Sequence, residues 1–325
     1  MRRAWWPFLI LTLALTALVA LMAGATSIAP GDVVAALLGR AGDTTASTIV
    51  RAVRLPRVVL ATLVGAALGM SGTVLQGTLR NALAEPYLLG VSGGAAVGAV
   101  LAVAAGVGAP SLIALSAFIG ALAAVAGVLA IARAAGARGD TRLLLMSGVI
   151  MGAFANATIM VVMATAAPDV TRNALWWMMG SVAAAGWRDA ALLATMCVLV
   201  GAALLHRARW LDILALGDDS AESLGIDTEG AGRFFFLLAS LLAAATVAVA
   251  GLVGFVGLMV PHLARSLAGA RARGVLVASA LSGAILVVAA DLAARTVRAP
   301  AELPLGAVTA LLGVPFFLWR LRASR

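Results

Sequence analysis

Lysine is absent from this 325-residue chain, cysteine and tyrosine occur once each, histidine twice, and charged side chains make up only 11% of it. Each scarcity closes off a class of function. The single cysteine, Cys197, cannot form an internal disulfide and reads as a packed apolar residue. With His206 and His262 as the only histidines, no convergent set of nucleophile, base and orienter appears, so hydrolytic catalysis by this chain is not expected. His262, following Pro261, makes a poor metal site by itself, and no metal or cofactor is expected. There is no G-x-x-x-x-G-K-[ST] phosphate loop and no polar stretch long enough for a separate nucleotide-binding domain. If the chain serves active transport driven by ATP, another polypeptide supplies the engine.

What is present is apolar: 63% of residues are hydrophobic, against about 45–50% in a soluble domain. A bilayer core takes about 20 apolar residues per helix. Such stretches fall at 7–27, 58–79, 88–106, 111–133, 143–166, 190–206, 234–250, 252–268, 275–294 and 305–320. The expectation is an all-α polytopic membrane protein with about ten spans in one transmembrane domain, 1–325.

The 23 basic residues, all arginine, exceed 14 acids and give a net charge of +9. In a soluble protein this would suggest nucleic acid; here the arginines lie between spans, and no nucleic-acid partner is expected. With the N-terminus in the cytoplasm, 15 arginines (2, 3, 80, 133, 138, 142, 207, 209, 233, 265, 271, 273, 320, 322, 325) fall inside and eight outside. The positive-inside rule therefore predicts both termini in the cytoplasm. The first span resembles a signal peptide, with Arg2-Arg3 before it and Ala23-Gly24-Ala25 at its end. The charge count favours an uncleaved helix.

Small residues recur within spans, as in GAALGMSG (65–72) and GVSGGAAVGAV (90–100). They read first as sites of close helix packing and secondarily as a lining for a substrate path. Residues 168–186, with Trp176 and Trp177, read as a short helix at the outer interface. Residues 211–232 carry Asp218, Asp219, Glu222, Asp227 and Glu229 on the cytoplasmic side, with a helical patch from Leu214 to Leu224 and glycine breaks at Gly217, Gly225 and Gly230. The segment is a solvated connector or, given its length, a knuckle that docks a soluble partner.

On the outer side, Arg51, Arg54 and Arg57 precede the second span and Arg295 and Arg298 follow the ninth. Snorkelling to headgroups and pairing with an acidic partner are both open to them. The proline of RLPR should hold Arg54 and Arg57 on a turn rather than a continuous helix. Within spans, Gln76, Asn156, Asp291 and His262 are the notable polar groups, and Asp291 with Arg295 has the spacing of an intrahelical pair.

Several segments together resemble the permease subunits of bacterial binding-protein-dependent ABC importers for iron chelates, haem and cobalamin. They are RLPR (54–57), LVGAALGMSGTVLQGTLRNALAEPYLLGVSGGAAVGAV (63–100), WWMMGS (176–181), LALGDDSAESLGI (214–226), GFVGLMVPHLAR (254–265), ADLAAR (290–295) and ELPLGAVTALLGVPFF (302–317). The resemblance covers about residues 50–322. It implies the type II ABC importer permease fold with ten helices per subunit, two subunits around a path, two ATPase subunits and a periplasmic or lipid-anchored binding protein. It also implies docking of the binding protein by Arg54, Arg57 and Arg295. Coupling to the ATPase would run through Leu216, Gly217, Asp218, Asp219, Ala221, Glu222, Leu224 and Gly225. A cytoplasmic gate would hold Asn81 and Leu83, with a looser match at Asp140 and Thr141. Ala82 stands where the family usually has proline and Tyr87 where glycine is common.

The resulting expectation is a multi-pass permease of the bacterial inner membrane that works as a homodimer in lipid and moves a large metal chelate inward, a ferric siderophore or haem, with cobalamin as the alternative. An ion-coupled secondary transporter is the rival from another class, but it would place ionisable residues near the midplane at broken helices, and none is clearly central here.

Overall fold

The computed structural model describes residues 5–136 and 141–323. Its main helices are α1 (Trp5–Met22), α4 (Leu55–Thr78), α5 (Val91–Ala104), α6 (Pro110–Ala134), α7 (Thr141–Thr165), α9 (Trp187–His206), α12 (Thr228–Ala250), α13 (Val256–Ala268), α14 (Ala272–Thr296) and α15 (Leu305–Ala323). They fall on the ten apolar stretches. Seven of the described helices are long and apolar enough to cross a membrane, and α5 and α15 are shorter apolar helices. Five small helices fill the connections: α2 (Pro30–Leu37), α3 (Thr45–Thr48), α8 (Pro168–Met178), α10 (Ala208–Leu214) and α11 (Asp218–Ser223).

α4 and α14 form the centre. Their backbones touch because glycines face each other: a Cβ at Gly65 would stand 2.0 Å from the Gly283 carbonyl oxygen, and one at Gly69 would stand 2.3 Å from that of Ser279. One turn on, a Cβ at Gly72 would meet the Gly257 oxygen of α13 at 1.9 Å. Gly94 and Gly98 bring α5 as close to α6. In lipid, where water exclusion does not drive helices together, such close contact supplies the packing; the small-residue runs are helix seams.

α13 has only 13 residues, about 20 Å of helix against a core of about 30 Å. The non-helical joint 251–255 between α12 and α13 is therefore held within the bundle. Such backbone is tolerated there only where its polar groups are satisfied. The Val253 N–H donates to Tyr87 Oη at 2.8 Å and the Phe255 N–H to Glu85 at 2.7 Å. Neighbouring chain packs beside the joint: Ser181 N–H donates to Ala250 O at the end of α12, and Leu305 and Gly306 N–H donate to Gly180 and Met179 carbonyls.

Three local expectations are corrected. RLPR is not a turn: a π-helix, Ile49–Arg54, runs directly into α4 with Leu55 in right-handed helical geometry. Pro56 thus lies inside a continuous helix, and the wider π turn before it accommodates its ring and its missing N–H. The patch Leu214–Leu224 is two helices, α10 and α11, separated at Gly217, whose φ of +106° lies outside what a side-chain-bearing residue adopts readily. Gly230 does not break a helix; it lies in the first turn of α12, its N–H capped by Asp227 at 3.0 Å.

Candidate functional site

The functional features gather at the two ends of α4. At the RLPR end, the three arginines expected on an exposed rim are buried, each 5–6% exposed. Arg54 donates to the carbonyls of Leu21, Met22 and Thr26, the unpaired end of α1 and the loop after it. Arg295 donates to Ala20 O in the same last turn. Arg57 grips two carboxylates: Asp291 through Nε and Nη2 at 3.0 and 2.8 Å, and Glu302 through Nη1 and Nη2 at 2.7 and 2.9 Å. The intrahelical pair is present too, Arg295 Nε lying 3.4 Å from Asp291, but Asp291 belongs chiefly to Arg57. Much of the compensation for these arginines thus lies inside the chain. Glu302 is the outermost partner, with 40% of its side chain exposed, and the Arg57 guanidinium holds its carboxyl below the usual carboxylate range. Arg51 and Arg298 of the same patches are exposed.

Beside this end, α8 carries Trp176, 58% exposed, and Trp177. A cleft of about 730 Å³ opens next to it, lined among others by Trp177, Asn173, Arg188 and the backbone at Gly251.

At the other end, α4 stops at Thr78 and the chain makes a tight turn over 79–85. Asn81 closes it: the Leu83 N–H donates to Asn81 Oδ1 at 2.9 Å and the Ala84 N–H to Asn81 O at 3.0 Å. Leu83 is left 53% exposed, while Glu85 is 8% exposed. Gln76, in the last turns of α4, bonds α13 both ways: its amide donates to Leu258 O at 3.1 Å and its carbonyl accepts from Arg265 at 2.9 Å. The His262 ring lies 3.2 Å from Ala82 O and packs edge-on against Phe317 of α15. Among the described residues no group of three His, Cys, Asp or Glu is placed to hold a metal.

The acidic segment stands beside this turn. α11 presents Asp218, Asp219 and Glu222 outward with Leu216 and Leu224, 64% and 59% exposed, at its two ends, while Ala221 is fully buried and anchors it. Gly217 and Gly225, both at positive φ, make the bends that let the segment project. Glu222 accepts from the Thr228 hydroxyl at 3.0 Å, and Arg80 pairs with Asp218. The structure therefore brings Asn81 and Leu83 next to the acidic segment. Asp140 lies outside the described residues, and Thr141 opens α7. Asn156 is exposed on α7.

Sequence reasoning did not single out Arg80, Glu85, Phe255 or Arg265. Glu85 carried a signal, a lone acid between two apolar spans, but its partner lies 170 positions away.

The described residues form a bundle of ten main helices with a broken α12–α13 pair and a projecting acidic knuckle, and its likeness to known proteins places it among the membrane subunits of ABC importers. The FecCD transport family profile matches residues 11–323, and the chain belongs to that family. It is 42% identical over 282 residues to the cobalamin import system permease protein BtuC of Halobacterium salinarum, covering 86% of this chain and 74% of that one. It is 40% identical over 279 residues to the hemin transport system permease protein HmuU of Yersinia pestis, covering 84% and 83%. To the Fe(3+) dicitrate transport system permease protein FecD of Escherichia coli it is 37% identical over 276 residues, covering 84% of both. A solved inward-facing structure of a metal-chelate type ABC transporter superposes with a TM-score of 0.84 at 30% identity, covering 95% of this chain and 96% of that one. The protein is thus a multi-pass inner-membrane permease that works with ATPase and substrate-binding partners, ATP hydrolysis residing in separate subunits.

Proposed function

We propose that this permease moves a large metal chelate, a ferric siderophore or haem, from a binding protein outside the membrane to the cytoplasm, with cobalamin as the alternative cargo. Two copies would line the path, two ATPase subunits would sit against α11, and both termini would lie in the cytoplasm. The observation that carries the reading is the adjacency of the acidic knuckle to the turn bearing Asn81 and Leu83: motion imposed on α11 from outside the chain arrives directly at a candidate gate. In this reading the exposed residues of the segment, Leu216, Asp218, Asp219, Glu222 and Leu224, meet the ATPase. Ala221, Gly217 and Gly225 shape the segment, and Asp140 and Thr141 contribute a second gate element.

Docking of the binding protein would use the end that carries Arg54, Arg57 and Arg295. Because these are bonded internally, an acidic partner reaches Arg57 by replacing Glu302, the exposed carboxylate of the pair. A charged rim of this kind steers encounter and fixes orientation.

Reversing the charges of Asp219 and Glu222 in the complex with its ATPase, reconstituted in vesicles with the binding protein, should abolish vanadate-sensitive uptake of the chelate that the binding protein retains. The fold should survive, since exposed charges contribute about 0–1 kcal/mol per pair. Full uptake by that variant would reduce the segment to a connector. Orientation has its own test in a Cys197→Ala background: Asp43→Cys should react with an impermeant maleimide from outside, and Ala270→Cys should not. The reverse pattern would invert the topology.

A further inference from the structure

Among the described residues, two without a glycine backbone hold a positive φ: Arg80 at +46° and Phe255 at +66°. Left-handed geometry is strained for such residues and persists only where surrounding contacts impose it, a situation that clusters at switches. These two are the residues engaged by the opposite ends of the turn 79–85. At the near end Arg80 reaches out of the turn to Asp218 on α11. At the far end the buried Glu85 carboxylate accepts the N–H of Phe255, the residue that opens α13. Between them the Asn81 bonds close the turn into a stiff piece. Beyond Phe255 the chain of contact continues: a Cβ on Gly313 would meet Phe255 Cβ at 2.6 Å, so this side chain is seated directly on the backbone of α15.

We propose that Arg80 and Glu85 are positioning residues of the transport cycle, holding the turn 79–85 as a lever that carries displacement of α11 to the α12–α13 joint and to α15. The proposal rests on the reading of α11 as the ATPase contact and of Leu83 as part of the gate. Its physical content is that each end of the lever is held by a polar side-chain contact, Arg80 to Asp218 and Glu85 to the Phe255 N–H, and that Arg80 and Phe255 are the strained residues of the two contacts. Such contacts can hold two discrete arrangements, whereas the glycine seams of α4 with α13 and α14 cannot stretch without losing their packing. The carbonyl of Ala82 in the turn faces His262 of α13, and Arg80 joins the turn to Asp218 of the acidic segment.

The test uses the whole complex in vesicles, with Leu83→Cys in the Cys197→Ala background as the reporter. Maleimide labelling of that cysteine should differ between the nucleotide-free and the ATP-bound, hydrolysis-arrested complex. Arg80→Ala and Glu85→Ala should each erase this difference; transport per ATP should fall by up to about 5-fold in Arg80→Ala, the worth of an exposed ion pair, and by more in Glu85→Ala, which removes a buried contact. Arg80→Lys, and Glu85→Gln, which keeps an oxygen acceptor for the Phe255 N–H, should retain it. The exchange Arg80→Asp with Asp218→Arg should restore it. If nucleotide dependence persists in Arg80→Ala, or if the exchange folds with wild-type stability and restores nothing, the lever is wrong while the gate stands. If Leu83→Cys shows no nucleotide dependence even before these substitutions, the gate reading falls and the lever with it.

Discussion

Arg57→Ala is expected to destabilise the purified chain in detergent by about 3–5 kcal/mol, the cost of leaving a buried charge without its partner. The group left behind is Asp291, 2% exposed, which loses all three of its bonds from Arg57 and retains Arg295 at 3.4 Å. Glu302 is also released, but its side chain is 40% exposed and water can replace the guanidinium. Arg51→Ala, on the same patch but exposed, should change stability by no more than about 0.5 kcal/mol. The double variant Arg57→Met with Asp291→Leu should recover only part of the loss, because Arg295, 5% exposed, then loses its carboxylate partner. Unfolding by heat or denaturant in detergent reads all three. Equal stability of Arg57→Ala and Arg51→Ala would mean that the cluster is wetter than its burial indicates. The result also governs any docking experiment: loss of binding-protein affinity on reversing Arg57 is informative only once the stability of that variant has been measured.

Gly72→Ala should be nearly as damaging. Its methyl carbon would be placed 1.9 Å from the Gly257 oxygen and 2.6 Å from the Gly257 carbonyl carbon, and backbone cannot rotate aside as a side chain does. α4 and α13 would have to separate. Overpacking of this kind costs about 1–3 kcal/mol and sometimes more. Gly31→Ala in α2, where an added methyl meets nothing within 4 Å, should instead be neutral or stabilising by about 0.4–1 kcal/mol through the unfolded chain. The ratio of folded to aggregated protein on detergent extraction, followed by unfolding of the folded fraction, separates the two. A Gly72→Ala chain as stable as Gly31→Ala would show that the seam gives way freely.

The helices were legible because the constraint that writes them is one-dimensional: a span must be apolar for its length, and the ten stretches read from composition are where the ten main helices of the described residues lie, seven of the described helices being long enough to cross. Small-residue runs were legible for a related reason, since Gly65, Gly69 and Gly72 share one face at helical spacing. What the sequence did not disclose was pairing across the fold. Arg57 looked like a rim charge because Asp291 and Glu302 lie 234 and 245 positions away, and nothing local distinguishes a guanidinium facing water from one facing a distant carboxylate. RLPR was misjudged because the restriction before proline is a preference and not a bar: Leu55 takes right-handed helical angles, and the π turn over Ile49–Arg54 makes room for the Pro56 ring. Gly230 was misjudged because a glycine beside an aspartate marks a helix start as readily as a break, and Asp227 decides between them by capping.

The clasp on the end of α1 has a consequence for how the protein is made. The carbonyls of Ala20, Leu21 and Met22 are held by Arg295 and Arg54. Arg54 emerges from the ribosome soon after α1, but Arg295 follows Ala20 by 275 residues. At about 5–20 residues per second the first helix waits roughly 15–55 s for its last partner. During that interval Arg54 holds the carbonyls of Leu21 and Met22 while that of Ala20 still awaits Arg295, so the end of α1 is only half fastened until the chain is nearly complete.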